Sequence, residues 1–366
     1  MAKTAVKRTP SKKPEEKDWE FISQVVGDME KKFGKGSALI PNEDTILCKV
    51  EDWASTRNFL VDSAIAGGLP MPRPIIPFGR MTEIAGLNGS GKTTLMLQIM
   101  AETQATGGVA VIGDTEQALD LAYAEKLGVN LSRLIVFQAD TIEDMFERAE
   151  ALIASVKGYD DSRLICIGWD SLGGTPTRAQ LEADPGDHFY AEAAKVVGKN
   201  LQRTIQMISK RKIAFIVNNH LYRKMDVKWG DPWETYGGEK VKFYSTLRIR
   251  LKRVGQISEL HEGEKQIIGH KVKVSVTKNK MAPMLRSVEV PCIGNHGFSL
   301  DYSILEQGSK QGVLKGTTWK TWMAPSGEVK FQGWKGFMDK VASHPEYPEL
   351  ISEVIRNYHQ RATVEA

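Results

Sequence analysis

The sequence predicts an α/β fold around a mostly parallel central sheet, and three observations carry that reading. Short apolar runs alternate with amphipathic helical stretches through the middle of the chain, the pattern of strand–helix–strand units. One junction, "EIAGLNGSGKTTLMLQIMAETQ" at residues 83–104, passes from an apolar run through a knot of glycines into a helical period. Another apolar run, "RLICIGWDSLGG" at residues 163–174, carries an acid where parallel strands end. Ligands of such sheets gather at those ends.

The first junction has the spacing of a phosphate-binding loop: Gly86, four residues, then Gly91-Lys92-Thr93. Arg80–Ala85 reads as the strand before it and Thr94–Thr103 as the helix after it. Glycines let several N–H groups turn toward one point, and the helix adds its positive N-terminal end. The candidate nucleotide-binding residues are therefore Gly86, Leu87, Asn88, Gly89, Ser90, Gly91, Lys92, Thr93 and Thr94. Lys92 would reach the β- and γ-phosphates, and the Thr93 hydroxyl would hold Mg²⁺. The run Leu164–Trp169 reads as a buried strand ending at Asp170, the acid that a phosphate-loop enzyme keeps near Mg²⁺. Val109–Gly113 reads as a third strand, which sets Glu116 just past a strand end. Hydrolysis needs a carboxylate to orient and deprotonate the attacking water, and Glu116 is the best-placed candidate. Read alone, the same residue is also a plausible helix cap or surface acid.

Composition bounds the rest. A chain of 366 residues, 41% hydrophobic and 26% charged, suffices for one large domain with satellites. No apolar run has the length of a membrane span, and "MAKTAVKRTPSKKPEEK" lacks the apolar centre of a signal peptide. Cys48, Cys166 and Cys292 lie far apart without metal-ligand spacing, which suits free thiols in a reducing compartment. A cytoplasmic protein without a membrane partner is expected. The net charge of +4 argues for no nucleic-acid partner by itself, so such a partner must show in local patches.

Residues 1–17 are rich in Lys and Pro and read as a disordered basic arm. Residues 18–44 read as an N-terminal helix and oligomerisation segment. There Phe21, Val25, Met29 and Phe33 form one stripe before Gly34 and Gly36 end the helix, and either the chain's own core or another subunit must cover it. Residues 45–302 read as the core that holds the nucleoside triphosphate site, and the Trp-rich texture of 303–366 as a small α+β lobe.

One local patch stands out. Ala214–Asn218 reads as a core strand, and Leu221–Gly238 as a long polar loop without helix or strand period. The loop holds Tyr222, Arg223, Lys224, Lys228, Trp229, Trp233 and Tyr236 and closes on Gly237 and Gly238. A loop this long in an α/β domain is usually functional or disordered. Cations that neutralise phosphates, interleaved with rings that stack on bases, suit single-stranded nucleic acid.

In this order the pieces resemble the RecA-type DNA strand-exchange recombinases. The resemblance runs over roughly residues 30–299, from "MEKKFGKGSALI" to "VTKNKMAP" and "GNHGFS". It is carried most specifically by "GSGKTTLMLQ", "DTEQALDLAYAEKLGV", "WDSLGG" and "GGEKVKFYSTLRIRLKRVG". The fold it implies is a RecA-like phosphate-loop ATPase core with a mostly parallel sheet, a helical N-terminal arm and a small C-terminal lobe. The activity it implies is ATP hydrolysis with Mg²⁺, coupled to pairing of single-stranded DNA with homologous duplex DNA by a helical homo-oligomer. A ring-forming RecA-core ATPase or helicase, or a structural single-strand-coating protein, are the alternatives.

The resemblance also assigns positions. Glu116 falls on the family's catalytic glutamate, Asp170 on the acid of its second nucleotide motif, and Asp120 and Tyr123 where the family contacts adenine. Lys278 and Lys280 match lysines that reach a neighbouring subunit's ATP, although by themselves they read as a solvated basic turn. The loop after residue 220 falls on the second DNA-binding loop, with Trp229 as a wedge-like aromatic, and residues 181–192 fall on the first. His220 stands where bacterial members carry a glutamine that senses the γ-phosphate, and "LNGS" replaces a more acidic middle of the phosphate loop. The C-terminus "VIRNYHQRATVEA" lacks an acidic tail. Such departures suit a phage-encoded member.

Overall fold

The computed structural model describes residues 16–35, 37–38, 40, 50–68, 71–157, 162–183, 190–224, 230–261, 264–283 and 286–364. The chain divides into two units, Met1–Lys49 and Val50–Ala366. In the first, residues 1–15 of the expected basic arm lie outside the described residues, and its last two join the expected helix, α1 (Glu16–Phe33). Gly34 stops it at φ 98°, a conformation that favours glycine. Phe21, Val25, Met29 and Phe33 recur every four residues, and all four are exposed.

The second unit opens with β1 (Trp53–Ala54), α2 (Phe59–Ile65), β2 (Ile76–Pro77), β3 (Met81–Gly86) and α3 (Lys92–Ala105). It continues through β4 (Val109–Asp114), α4 (Leu121–Lys126), β5 (Leu134–Gln138), α5 (Ile142–Lys157), β6 (Ile165–Asp170), α6 (Arg178–Glu182) and α7 (Tyr190–Ile208). Then come β7 (Ile213–Arg223), β8 (Trp233–Thr235), α8 (Gly238–Tyr244), β9 (Ser245–His261), β10 (Glu264–Asn279), β11 (Ser287–Ile293) and β12 (Gly297–Phe298). The end is α9 (Leu300–Gln311), β13 (Leu314–Lys315), β14 (Trp319–Ala324), β15 (Gly327–Gln332), α10 (Gly333–Phe337) and α11 (Tyr347–Val364).

The main sheet has the order β12-β11-β10-β9-β3-β7-β6-β4-β5, with β8 added to β7 outside that path. The run from β9 to β5 is parallel, and β10, β11 and β12 extend it antiparallel. Apolar side chains on both faces are what a covered parallel sheet requires. Leu95, Met96, Ile99 and Met100 of α3 bury one face against Ile84, Ala214 and Ile216. Met145, Phe146 and Ile153 of α5, with Val197 and Leu201 of α7, bury the other against Ile167, Trp169 and Phe215. Burial of this apolar area, at ~25 cal/mol per Å², is the main stabilising term.

Register decides where the chemistry lies. Gly86 sits opposite His220 on β7 and Leu251 on β9, while Asp114 sits opposite Asp170. Residues far apart in sequence thus meet toward the C-terminal ends of neighbouring parallel strands. After residue 300, β13, β14 and β15 form a separate antiparallel sheet. Its buried face carries Trp322 and Phe331, which join Phe337, Tyr347 and Leu350 in the cluster that also contains α3.

The expected loop over Leu221–Gly238 is corrected in part. β7 runs on to Arg223 and folds back onto β8, with Leu221 opposite Thr235 and Arg223 opposite Trp233. Leu221, Tyr222, Trp233 and Thr235 are good strand formers, so a hairpin forms where the composition reads as polar. Lys228 and Trp229 lie outside the described residues, as does part of the 181–192 segment.

Candidate nucleotide site at the strand ends

The turn after β3 is shaped for close approach. Gly89 and Gly91 take φ of 68° and 94°. A Cβ on Gly86 would fall 2.2 Å from Ser90 Oγ, and one on Gly91 would meet the Phe298 ring at 3.0 Å. Gly91 caps α3 without a side-chain bond, so the first amides of the helix point into the turn. Lys92 is buried and donates from Nζ to the Gly86 carbonyl at 3.2 Å and the Leu87 carbonyl at 3.4 Å. Burial lowers its pKa, against the opposing charges of Asp170 and Glu116.

One helical position on, Thr93 Oγ1 donates to Asp170 Oδ2 at 2.6 Å. Asn218 Nδ2 donates to the other carboxylate oxygen at 3.1 Å. Burial raises the pKa of Asp170, and these two hydrogen bonds oppose it. Glu116 follows β4 in a turn where Gln117 holds a left-handed φ of 51°, a strained conformation for a residue with a side chain. Thr115 fixes this turn by donating from its backbone N at 2.9 Å and from Oγ1 at 3.0 Å to the Asp170 carbonyl. Glu116 Oε1 accepts from Ser171 Oγ and meets His220 Nε2 at 3.0 Å. Partial burial would raise its pKa, but the bonds from Ser171 and His220 and the charge of Lys92 outweigh it, so the carboxylate stays ionised.

Tyr123 borders a cleft of about 420 Å³ together with Gly89, Gly91, Thr94 and His270, and its hydroxyl lies 3.0 Å from Thr94 Oγ1. Asp120 is exposed and caps α4, accepting from Tyr123 N at 3.0 Å. On the opposite face of the sheet, the root of the β7–β8 hairpin is tied to β3. Fully buried Glu83 accepts from Arg248 Nε and, at 2.9 Å, from Asn219 Nδ2. Asn219 Nδ2 also donates to the Tyr236 carbonyl at 2.9 Å. Within the hairpin the Tyr222 and Tyr236 rings lie 5.0 Å apart, and Lys224 pairs with Glu234 at 3.2 Å. Arg223 is exposed, and Trp233 is half-buried opposite it. Gly237 at φ 86° and Gly238 at φ 74° start α8 close against Leu172 and Ala194.

Residues 20–299 match the RecA N-terminal domain family. The chain is 34% identical to Protein RecA of Thioalkalivibrio sulfidiphilus over 339 residues, covering 92% of this chain and 93% of that one. It is 32% identical to Protein RecA of Paracoccus denitrificans, covering 92% and 90%. With Protein RecA of Borrelia hermsii the identity is 34%, over 90% and 87% of the two chains.

The chain belongs to the RecA family. It is a recombinase of DNA recombination and repair, built on the family's α/β core.

Within this RecA-family core, Lys92, Thr93, Asp170, Glu116 and His220 converge, and Tyr123 lies beside the phosphate loop. Lys278 and Lys280 do not join them. Lys278 lies opposite Arg248 near the start of β9, toward the end of the sheet away from Gly86, and donates to the carbonyls of Lys242 and Phe243. Lys280 is exposed, with Nζ 5.7 Å from the centre of the Phe243 ring. Sequence reasoning missed Ser171, Asn218, Asn219, Glu83 and the glycines of "WDSLGG". A Cβ on Gly173 would come 2.9 Å from His220 Cβ, and one on Gly174 3.2 Å from Glu116 Oε1. The doubled glycine beside the acid was the available signal.

The donor set fits a nucleoside triphosphate with Mg²⁺. Turn amides and Lys92 suit phosphate oxygens, and the hydroxyl of Thr93 with the carboxylate of Asp170 suits a hard cation. Ser90 Oγ and Asn218 Oδ1 are buried here without a hydrogen-bond partner among the described residues. Buried polar atoms of this kind ordinarily have one. Among the described residues, no helix is long and apolar enough to cross a membrane.

Proposed function

We propose that this recombinase binds ATP and Mg²⁺ at Gly86–Thr94, hydrolyses ATP when single-stranded DNA is bound, and as a helical filament pairs that strand with homologous duplex DNA. The observation that carries the reading is the 3.0 Å contact between Glu116 and His220, because the residue that touches the candidate base directly precedes the hairpin.

The roles follow from the chemistry of each group. Backbone amides of residues 86–91 and the Lys92 ammonium hold the phosphates. Thr93 and Asp170 would hold Mg²⁺, which when bound neutralises charge on the phosphate oxygens. Tyr123 stacks on adenine and Asp120 bonds it. Glu116, kept ionised by Ser171, His220 and Lys92, takes a proton from the attacking water. His220 gives up Glu116 for the γ-phosphate, and this exchange resets the hairpin root. Arg223, Lys224, Lys228, Trp229, Trp233, Tyr236, Gly237 and Gly238 form the DNA surface, with cations on phosphates and rings on bases. Lys278 and Lys280, remote from their own phosphate loop, act on the ATP of a neighbouring copy.

The test is ATP turnover with and without single-stranded DNA, together with strand exchange between a circular single strand and homologous linear duplex. Turnover should rise on DNA. Lys92→Ala should bind no ATP, and Glu116→Gln should bind it but hydrolyse it slowly. Turnover indifferent to DNA, with no exchanged product, would sink the reading.

A further inference from the structure

Asn218 is fully buried near the end of β7, on the face where Ala214 and Ile216 pack beneath α3. A leucine would fill this place in an apolar run at no polar cost, whereas a buried amide oxygen left without a donor is destabilising. Half of the amide is satisfied: Nδ2 donates to Asp170 Oδ1 at 3.1 Å, which also fixes which end of the amide is nitrogen. The oxygen has no partner among the described residues. A group that binds beside Asp170 and brings a donor would satisfy it.

The neighbours say what that is. Asp170 and Thr93 bring a carboxylate and a hydroxyl together at 2.6 Å, an all-oxygen set that suits a small hard cation. Such a cation keeps several of its waters when bound through one or two protein oxygens, and every such water is a hydrogen-bond donor. We infer that Asn218 is a positioning residue of the metal site, orienting Asp170 through its N–H and accepting through its oxygen from the hydration shell of the ion. The inference rests on the nucleotide site proposed above. An outer-shell partner of this kind is worth about 10- to 100-fold in metal affinity.

The experiment uses the full chain with ADP or a non-hydrolysable ATP analogue, and Mn²⁺ as the probe, with free Mn²⁺ counted by electron paramagnetic resonance. Asn218→Leu keeps the number and branching of the side-chain heavy atoms and removes both polar atoms; Asn218→Ala removes them without filling the site and carries the test if the leucine variant does not fold. Each should weaken Mn²⁺ binding by about 10- to 100-fold. Each should also leave the affinity for a fluorescent ADP in EDTA within about twofold of wild type, since the phosphate loop itself is untouched; a merely structural role would move both measurements together. If wild type binds nucleotide and Mn²⁺ and the variants bind Mn²⁺ equally well, the inference fails alone. If wild type binds no nucleotide at all, it falls together with the proposed function.

Discussion

Glu116 Oε1 receives two partners, the Ser171 hydroxyl and the His220 imidazole, and the balance between them governs its chemistry. Burial pushes the carboxyl up, and these contacts together with Lys92 hold it below the ordinary value for a glutamate. A carboxylate held low stays ionised across the neutral range, as the proposed base must, and loses its proton-accepting form only in acid. Ser171→Ala removes one of the two bonds while leaving the nucleotide contacts in place. Hydrogen bonds to charged groups are worth about 1.5–3 kcal/mol, so DNA-stimulated turnover should fall by about ten- to a hundredfold. With one lowering contact gone, the acidic limb of the turnover–pH profile should move toward neutral pH. A limb that stays in place, at unchanged turnover, would remove Ser171 from any part in setting the base.

At the scale of elements, the β7–β8 hairpin is held at both faces of one strand end: His220 reaches Glu116 on the nucleotide side, and Asn219 reaches Glu83 and the Tyr236 carbonyl on the other. Successive strand residues point to opposite faces, so these neighbouring side chains link the proposed nucleotide site and the hairpin root through one short segment. Asn219→Ala keeps the Glu83–Arg248 pair and unpins only the root. Leaving the Tyr236 carbonyl without that donor should cost about 1–3 kcal/mol, visible as a lower melting temperature. The gain in oligonucleotide affinity produced by a non-hydrolysable ATP analogue over ADP, read by fluorescence anisotropy, should shrink several-fold. A full gain in the folded variant would mean that the pin takes no part in coupling. The same elements show what sequence can and cannot reveal. The phosphate loop was legible because its chemistry is contiguous and its flanking periods are unambiguous. The hairpin root was not, because pairing Arg223 with Trp233 and Asn219 with Glu83 depends on register between segments that no local period encodes. Ser171 and Asn218 escaped notice for the same reason: each acts on an acid supplied by a different strand or turn.

At the scale of the molecule, the distance between Lys278 and the chain's own phosphate loop bears on assembly. Lys278 on β10 lies opposite Arg248 of β9, which pairs with Glu83 in the middle of β3. Its ammonium donates to the Lys242 and Phe243 carbonyls ahead of β9, while Gly86 ends β3 opposite Leu251. If the lysines serve a nucleotide, it is one held by another copy, through a head-to-tail contact that repeats along a filament. Every interface then draws Glu116 from one protomer and Lys278 with Lys280 from the next. A filament of Glu116→Gln chains lacks the base at every interface, and a filament of Lys278→Ala/Lys280→Ala chains lacks the cations at every interface. Random co-assembly of equal amounts restores both at about a quarter of the interfaces, because each needs the right variant on each side. The mixture should therefore hydrolyse ATP on single-stranded DNA at about a quarter of the wild-type rate, although each variant alone is nearly inactive. Unmixed activity in the double-alanine variant would make these lysines ordinary surface charges. A mixture no faster than the mean of its parts would place Glu116 and the lysines in separate roles.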